Sequence, residues 1–151
     1  MSKPILLAID DDTSVLEAVV QDLRRHYGQT YRIIRAVSGP SALDTCQQLK
    51  ERDETVALFL SDQRMPGMTG VELAIMLSQS IPNLKVLLFS GQASTVDLLE
   101  KARHGGHYFT ALTKPVHPTD MLKRVSESLA FNKHTPAPED HTAPTAAYAT
   151  N

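Results

Sequence analysis

Along the chain, short unbroken apolar runs alternate with longer stretches whose apolar residues return every three or four positions. Ile5-Leu6-Leu7-Ala8-Ile9 is such a run, ending in Asp10-Asp11-Asp12. Continuous apolarity over so few residues predicts a strand covered on both faces. Thr13 and Ser14 then open an amphipathic helix with Val15, Val19 and Leu23 on its inner stripe and Leu16 and Val20 widening it. Asp12 is placed to cap that helix, Ser14 with Glu17 offers an alternative capping box, and Gly28 stops it. Residues 31–37 alternate more, as expected of a strand nearer a sheet edge. Ser38, Gly39 and Pro40 introduce a second helix running to about Arg52, with the proline near its first turn.

The second half repeats the pattern. Residues 56–60 form a third apolar run that delivers Asp62, and the chain turns through Pro66 and Gly67 to a helix carrying Val71, Leu73, Ala74 and Leu77. Residues 84–89 are a fourth strand delivering Ser90 and Gly91, and a helix from Ser94 to about Arg103 carries Val96, Leu98 and Leu99 before Gly105-Gly106. Residues 108–113 are a fifth strand delivering Lys114 and Pro115, and the last helix, about 118–131, presents Met121, Leu122, Val125 and Leu129. Such alternation predicts an α/β fold, a single doubly wound five-stranded parallel sheet with helices on both faces. Beyond Phe131 no apolar period continues. Residues 132–151 are rich in Ala, Thr and Pro with Tyr148 the only aromatic, and read as a disordered tail or a truncated linker following a 1–131 domain.

Composition narrows the picture by exclusion. A chain of 151 residues, 42% apolar and 21% charged, is one ordinary globular domain. A formal net charge of -2 makes no case for direct nucleic-acid binding or for attraction to anionic membranes. Cys46 is alone, which forbids an internal disulfide, and it falls at helical spacing with Ala42, Leu43 and Leu49 as a small buried hydrophobe. No apolar stretch has the length of a membrane span, and Met1-Ser2-Lys3-Pro4 enters the first strand without a cleavage signal, so a cytoplasmic location is expected.

Chemistry concentrates at the carboxyl ends of the strands, where open α/β sheets bind ligands. Strand one ends in Asp10 and Asp11, strand three in Asp62, strand four in Ser90 and strand five in Lys114. Two carboxylates at ~4 Å repel by roughly 4 kcal/mol at an effective dielectric of about 20, so the cluster needs a cation or protons. Oxygen-only donors select a hard ion, and few carboxylates with room for waters suit Mg²⁺. A carboxylate beside Mg²⁺ can take a phosphoryl group as an acyl phosphate, with Lys114 and Ser90 placed to meet its oxygens.

The run Asp10-Asp11-Asp12, the segment Ser61-Asp62-x-x-Met65-Pro66-x-x-x-Gly70, the triplet Phe89-Ser90-Gly91 and the triplet Thr113-Lys114-Pro115 together resemble a two-component response-regulator receiver domain over roughly residues 4–131. The resemblance implies a flavodoxin-like sheet of order 2-1-3-4-5. It implies Asp62 as phosphoacceptor, Asp11 as a direct Mg²⁺ ligand, Asp10 as a ligand through water and the Arg64 backbone carbonyl as the remaining protein ligand. Ser90 takes the switch-hydroxyl position and Lys114 that of the conserved-type lysine, and small Gly91 leaves the acceptor open. The implied donor is a phosphohistidine on a sensor histidine kinase or phosphotransfer protein, and the chain would signal by conformational change with at most slow self-dephosphorylation. The output partner, or an output domain, is unspecified.

One position departs from the family pattern. An aromatic often stands three residues before the lysine and reports phosphorylation, and here that residue is Ala111. Signalling is therefore expected through the loop from Gly91 to Ser94 and the helix that follows. Arg64 and Gln92, each two residues past a site residue, are expected to flank the incoming water. Whether the Lys114–Pro115 bond is cis stays open in the sequence.

Two other functions fit parts of the chain. Asp10-x-Asp12 after an apolar strand resembles the nucleophile and acid pair of haloacid-dehalogenase-like phosphatases, but that reading leaves the Asp62–Gly70 pattern unexplained. An unphosphorylated binding module on the same fold would not need the full set of acids and lysine. His104 and His107 straddle Gly105-Gly106 and cannot share a helical face as metal ligands. Arg24-Arg25-His26 and Lys101, Arg103 and His104 complement helix C-termini.

Overall fold

A computed structural model describes residues 3–91, 94–130 and 148. The elements run β1 (Ile5–Ile9), α1 (Thr13–Tyr27), β2 (Arg32–Ala36), α2 (Gly39–Glu51), β3 (Val56–Asp62), α3 (Gly70–Ser80), β4 (Lys85–Ser90), α4 (Ser94–His104), β5 (Thr110–Thr113) and α5 (Pro118–Leu129). All strand pairs are parallel and the sheet order is β2-β1-β3-β4-β5. Every residue of β1 and of β3 is buried, whereas β2 at the edge alternates. The difference follows from their places in the sheet, since a central strand is covered on two faces and flanked on two sides.

Side chains alternate across each strand and so build two cores. One contains Leu6, Ala8, Leu58, Leu60, Leu87 and Phe89 under α1 and α5. The other contains Ile5, Leu7, Ile9, Phe59, Val86 and Leu88 under α2, α3 and α4. Cys46 is buried in the second.

The helix ends follow local chemistry. Asp12 caps α1, accepting from the backbone N–H groups of Ser14 at 3.0 Å and Val15 at 3.3 Å, so this cap prevails over the alternative box at Ser14. Thr69 and Glu72 form a capping box at α3. Pro40 stands in the first turn of α2 and Pro118 in that of α5. Where periodicity and structure part, exposure explains it. Val96 is 60% exposed, because α4 turns only Leu98 and Leu99 partly inward, with Ala102 fully buried. Leu122 on α5 is partly buried rather than enclosed. β5 begins at Thr110, leaving Tyr108 77% exposed. Phe131, Gln92 and residues 132–147 and 149–151 lie outside the described residues, and with them His134, His141 and the region assigned to the tail apart from Tyr148.

Candidate functional site

Register brings the strand ends together. Ile9 pairs with Ser61 across β1 and β3, which sets Asp10 beside Asp62. Asp62 pairs with Phe89, and Ser90 pairs with Thr113, which sets Lys114 beside the end of β4. The Lys114 backbone N–H donates to the Ser90 carbonyl at 2.9 Å, and the Lys114–Pro115 bond is cis. Carboxylate oxygens of Asp10, Asp11 and Asp62 all lie within 4.8 Å of one another. Asp10 and Asp62 are buried at 5% and 2% exposure, and Asp11 is exposed at the mouth.

Asp62 is held at both ends. Before it, the Ser61 hydroxyl donates to the Asp62 carbonyl at 2.8 Å. After it, buried Gln63 donates its N–H to the Phe89 carbonyl at 2.9 Å and accepts from Gly70 at its own carbonyl at 3.0 Å. Its side-chain Oε1 also accepts from the Val71 N–H at 2.8 Å. Gly70 is required here by space: a Cβ would meet the Asp62 carbonyl oxygen at 2.7 Å and the Gln63 Cα at 3.2 Å. Gly67 turns the loop at φ +79°, a left-handed conformation that favours glycine. Met65 is buried beneath it, and Arg64 is exposed on the rim with Gln63, Ser90, Gly91 and Lys114 around Asp62.

The electrostatics are those of crowded anions facing the Lys114 ammonium. Lys114 Nζ lies 2.5 Å from Asp62 Oδ1, yet this buried oxygen accepts no well-aligned hydrogen bond. The contact is thus a charge pair. Burial raises the Asp10 carboxyl to about 7, opposed by the hydrogen bond from the Asp12 N–H, raised further by the charge of Asp62, lowered by Lys114 and raised by Asp11. Three acidic groups, all-oxygen donors and an oxygen of Asp62 without an aligned donor fit a small hard dication whose remaining positions are water. These residues would hold Mg²⁺, which when bound neutralises the carboxylates and the oxygens of an incoming phosphoryl group.

A profile of the response regulator receiver domain family matches residues 6–126. The chain belongs to this family. As a receiver domain it is a phospho-accepting signalling module rather than an enzyme acting on a small-molecule substrate, and its Asp10, Asp11 and Asp62 cluster matches the family's Mg²⁺-binding triad. The two-component response regulator ARR21 of Arabidopsis thaliana is 31% identical over 118 residues, covering 78% of this chain and 18% of that protein. The hydrogenase transcriptional regulatory protein HoxA of Cupriavidus necator is 29% identical over 82% of this chain and 24% of its own length. The chain thus spans about a quarter or less of these relatives. By contrast the receiver protein CpdR of Brucella abortus is 29% identical over 84% of this chain and 97% of its own. A CheY-like receiver structure from Methanospirillum hungatei superposes with a TM-score of 0.70 at 28% identity, covering 86% of this chain and 96% of that one.

One link at Ser90 was not read from the sequence. Thr95, in the first turn of α4 and 2% exposed, has its Oγ1 2.5 Å from the Ser90 hydroxyl, which donates to it. A hydroxyl five residues past Ser90 is the only sequence trace of that link. Ala111 is exposed on β5, with Tyr108 exposed and Phe109 stacked on His107 at 5.9 Å, so neither aromatic replaces the missing reporter. Gly91 is exposed, and a Cβ there would make only ordinary contact with Lys114 at 3.7 Å, so openness rather than steric need explains a small residue.

Proposed function

We propose that this receiver accepts a phosphoryl group on Asp62 from a phosphohistidine of a sensor histidine kinase or phosphotransfer protein. The observation that carries the reading is a buried aspartate set between two acids and a lysine at one edge of the sheet, where the strands end. In the transfer, an Asp62 carboxylate oxygen attacks phosphorus, the P–O bond forms as the P–N bond breaks, and the leaving imidazole keeps the electron pair and takes a proton. Asp11 would be the direct Mg²⁺ ligand, Asp10 would act through water and the Arg64 carbonyl would complete the protein ligands. Lys114 already faces Asp62 and is placed to shift its charge to a phosphoryl oxygen. Ser90 donates to another oxygen, which requires it to turn from Thr95.

That turn supplies a signalling route that needs no aromatic at position 111. Breaking the Ser90–Thr95 bond unties the first turn of α4 from the end of β4, so the change of charge at Asp62 reaches a helix surface. The 1–131 segment acts as the signalling unit, in a cytoplasmic setting, passing its state to an output partner or domain by protein contact. The phosphatase alternative loses support from Asp12, whose carboxylate is committed to capping α1 and accepts the Ser14 hydroxyl at 2.7 Å. Incubation with a phosphohistidine-bearing phosphotransfer protein and Mg²⁺ tests the proposal. Label should move to the wild-type chain and not to Asp62→Asn; transfer retained in that variant and lost in Asp10→Asn would favour the phosphatase.

A further inference from the structure

Tyr148 stands in a segment whose sequence shows no apolar period, yet it is 7% exposed and packs with the α1/α5 core. Three independent contacts fix it. Its ring stacks on Phe89 with centroids 6.3 Å apart and planes 18° apart. Its hydroxyl donates to Asp22 Oδ2 at 2.5 Å, and its backbone N–H donates to the Val116 carbonyl at 2.9 Å. Asp22 lies on the stripe of α1 that carries Val15 and Val19, and its other oxygen is 3.8 Å from Arg25. An apolar aromatic floor, a carboxylate for a hydroxyl and a carbonyl for the residue's own main-chain N–H together select tyrosine.

We propose that the groove between α1 and the β5–α5 connection is a tyrosine-receiving docking surface, and that its occupant is Tyr148 of the same chain. Reach permits this. The carbonyl of Val116 lies just before α5, a helix of 12 residues and so about 18 Å long. The 19 residues from Leu129 to Tyr148 can extend to about 60 Å. Tethering on that scale holds the tyrosine at an effective concentration near about 1 mM, which favours the chain's own residue over a second copy in dilute solution. Docking covers Phe89, which borders the Asp62 site, and so closes the α1/α5 face to a partner until Tyr148 is displaced. A phosphotyrosine would bring a second anion to Asp22 and be rejected.

Two measurements on the full 151-residue chain decide the matter. The first is proton NMR of chain labelled in Phe and Tyr. Ring cross-peaks between Phe89 and Tyr148, present in the monomer and unchanged between about 0.05 and 1 mM protein, are expected. Their absence, or their appearance only as a dimer forms, would overturn the proposal. The second adds a peptide of residues 141–151 to the Tyr148→Ala chain and to wild type. Binding to the variant is expected to be at least about tenfold tighter than to wild type, whose groove is filled. The phosphotyrosine form of the peptide should not bind. Equal binding to both chains, or none to the variant at about 5 mM peptide, would contradict in-cis occupancy of the groove.

Discussion

Mg²⁺ binding by this receiver should be linked to the loss of one proton. The perturbation is pH, and the group is Asp10, raised from 3.8 to about 7 chiefly by burial. The acid oxygens lie within 4.8 Å of one another, and at that outer limit each ionised pair repels by roughly 3 kcal/mol at an effective dielectric of about 20, which a dication relieves. The sign follows from which state holds the proton. Between pH 3.8 and about 7 the folded metal-free protein keeps a proton that the unfolded chain has lost, so its stability falls as pH rises through that window and levels off above it. The full difference corresponds to at most about 4 kcal/mol, and Asp10→Asn should stabilise the metal-free protein at pH 8 by about 1–4 kcal/mol. Because Mg²⁺ needs the carboxylate, its affinity at pH 6 should be about tenfold below that at pH 8, and at pH 5 about a hundredfold below. Calorimetric titration with MgCl₂ in two buffers of different ionisation enthalpy measures both the affinity and the released proton. A dissociation constant unchanged from pH 5.5 to 8, with no buffer dependence of the heat, would refute the reasoning.

Three further changes probe other parts of the site. Thr95→Val removes the acceptor of the Ser90 hydroxyl at nearly constant volume; Asp62 should still be phosphorylated, but amide shifts across α4 on adding a phosphoryl mimic should fall by about half. Equal shifts in variant and wild type would sink the α4 route. Gly70→Ala forces a Cβ against the Asp62 carbonyl and the Gln63 backbone, and should cost about 1–3 kcal/mol in urea unfolding; an unchanged midpoint would contradict the packing argument. Arg64→Ala removes an exposed side chain from the rim of the acceptor site and should change the decay rate of the acyl phosphate severalfold, with an unaltered rate counting against a role in admitting water.

The fold was legible because each strand announces itself. Runs such as Ile5–Ile9 are apolar throughout since the sheet is covered on both faces, and each is followed by a capped or proline-started helix. The acidic cluster was legible for a related reason: polar residues placed directly after buried parallel strands must emerge at one edge, which brings Asp10, Asp62, Ser90 and Lys114 together. What escaped notice depends on side-chain direction and long-range packing. Gln63 and Thr95 are buried polar residues whose side chains accept from the Val71 N–H and the Ser90 hydroxyl respectively, and no periodicity marks them. Val96 has the spacing of a core residue but faces outward, because α4 is only partly sunk onto the sheet. Tyr148 was hidden most deeply, since a lone aromatic among Ala, Thr and Pro has no pattern to reveal a partner 126 residues away in Asp22.

The central claim is that Asp62 receives the phosphoryl group. With Mg²⁺ and a small phosphoramidate donor, mass spectrometry should show one added phosphoryl group per chain, and borohydride trapping followed by peptide mapping should place it on Asp62. The same adduct should vanish in Asp62→Asn. An adduct mapped to Asp10, or one that persists undiminished in Asp62→Asn, would contradict the account.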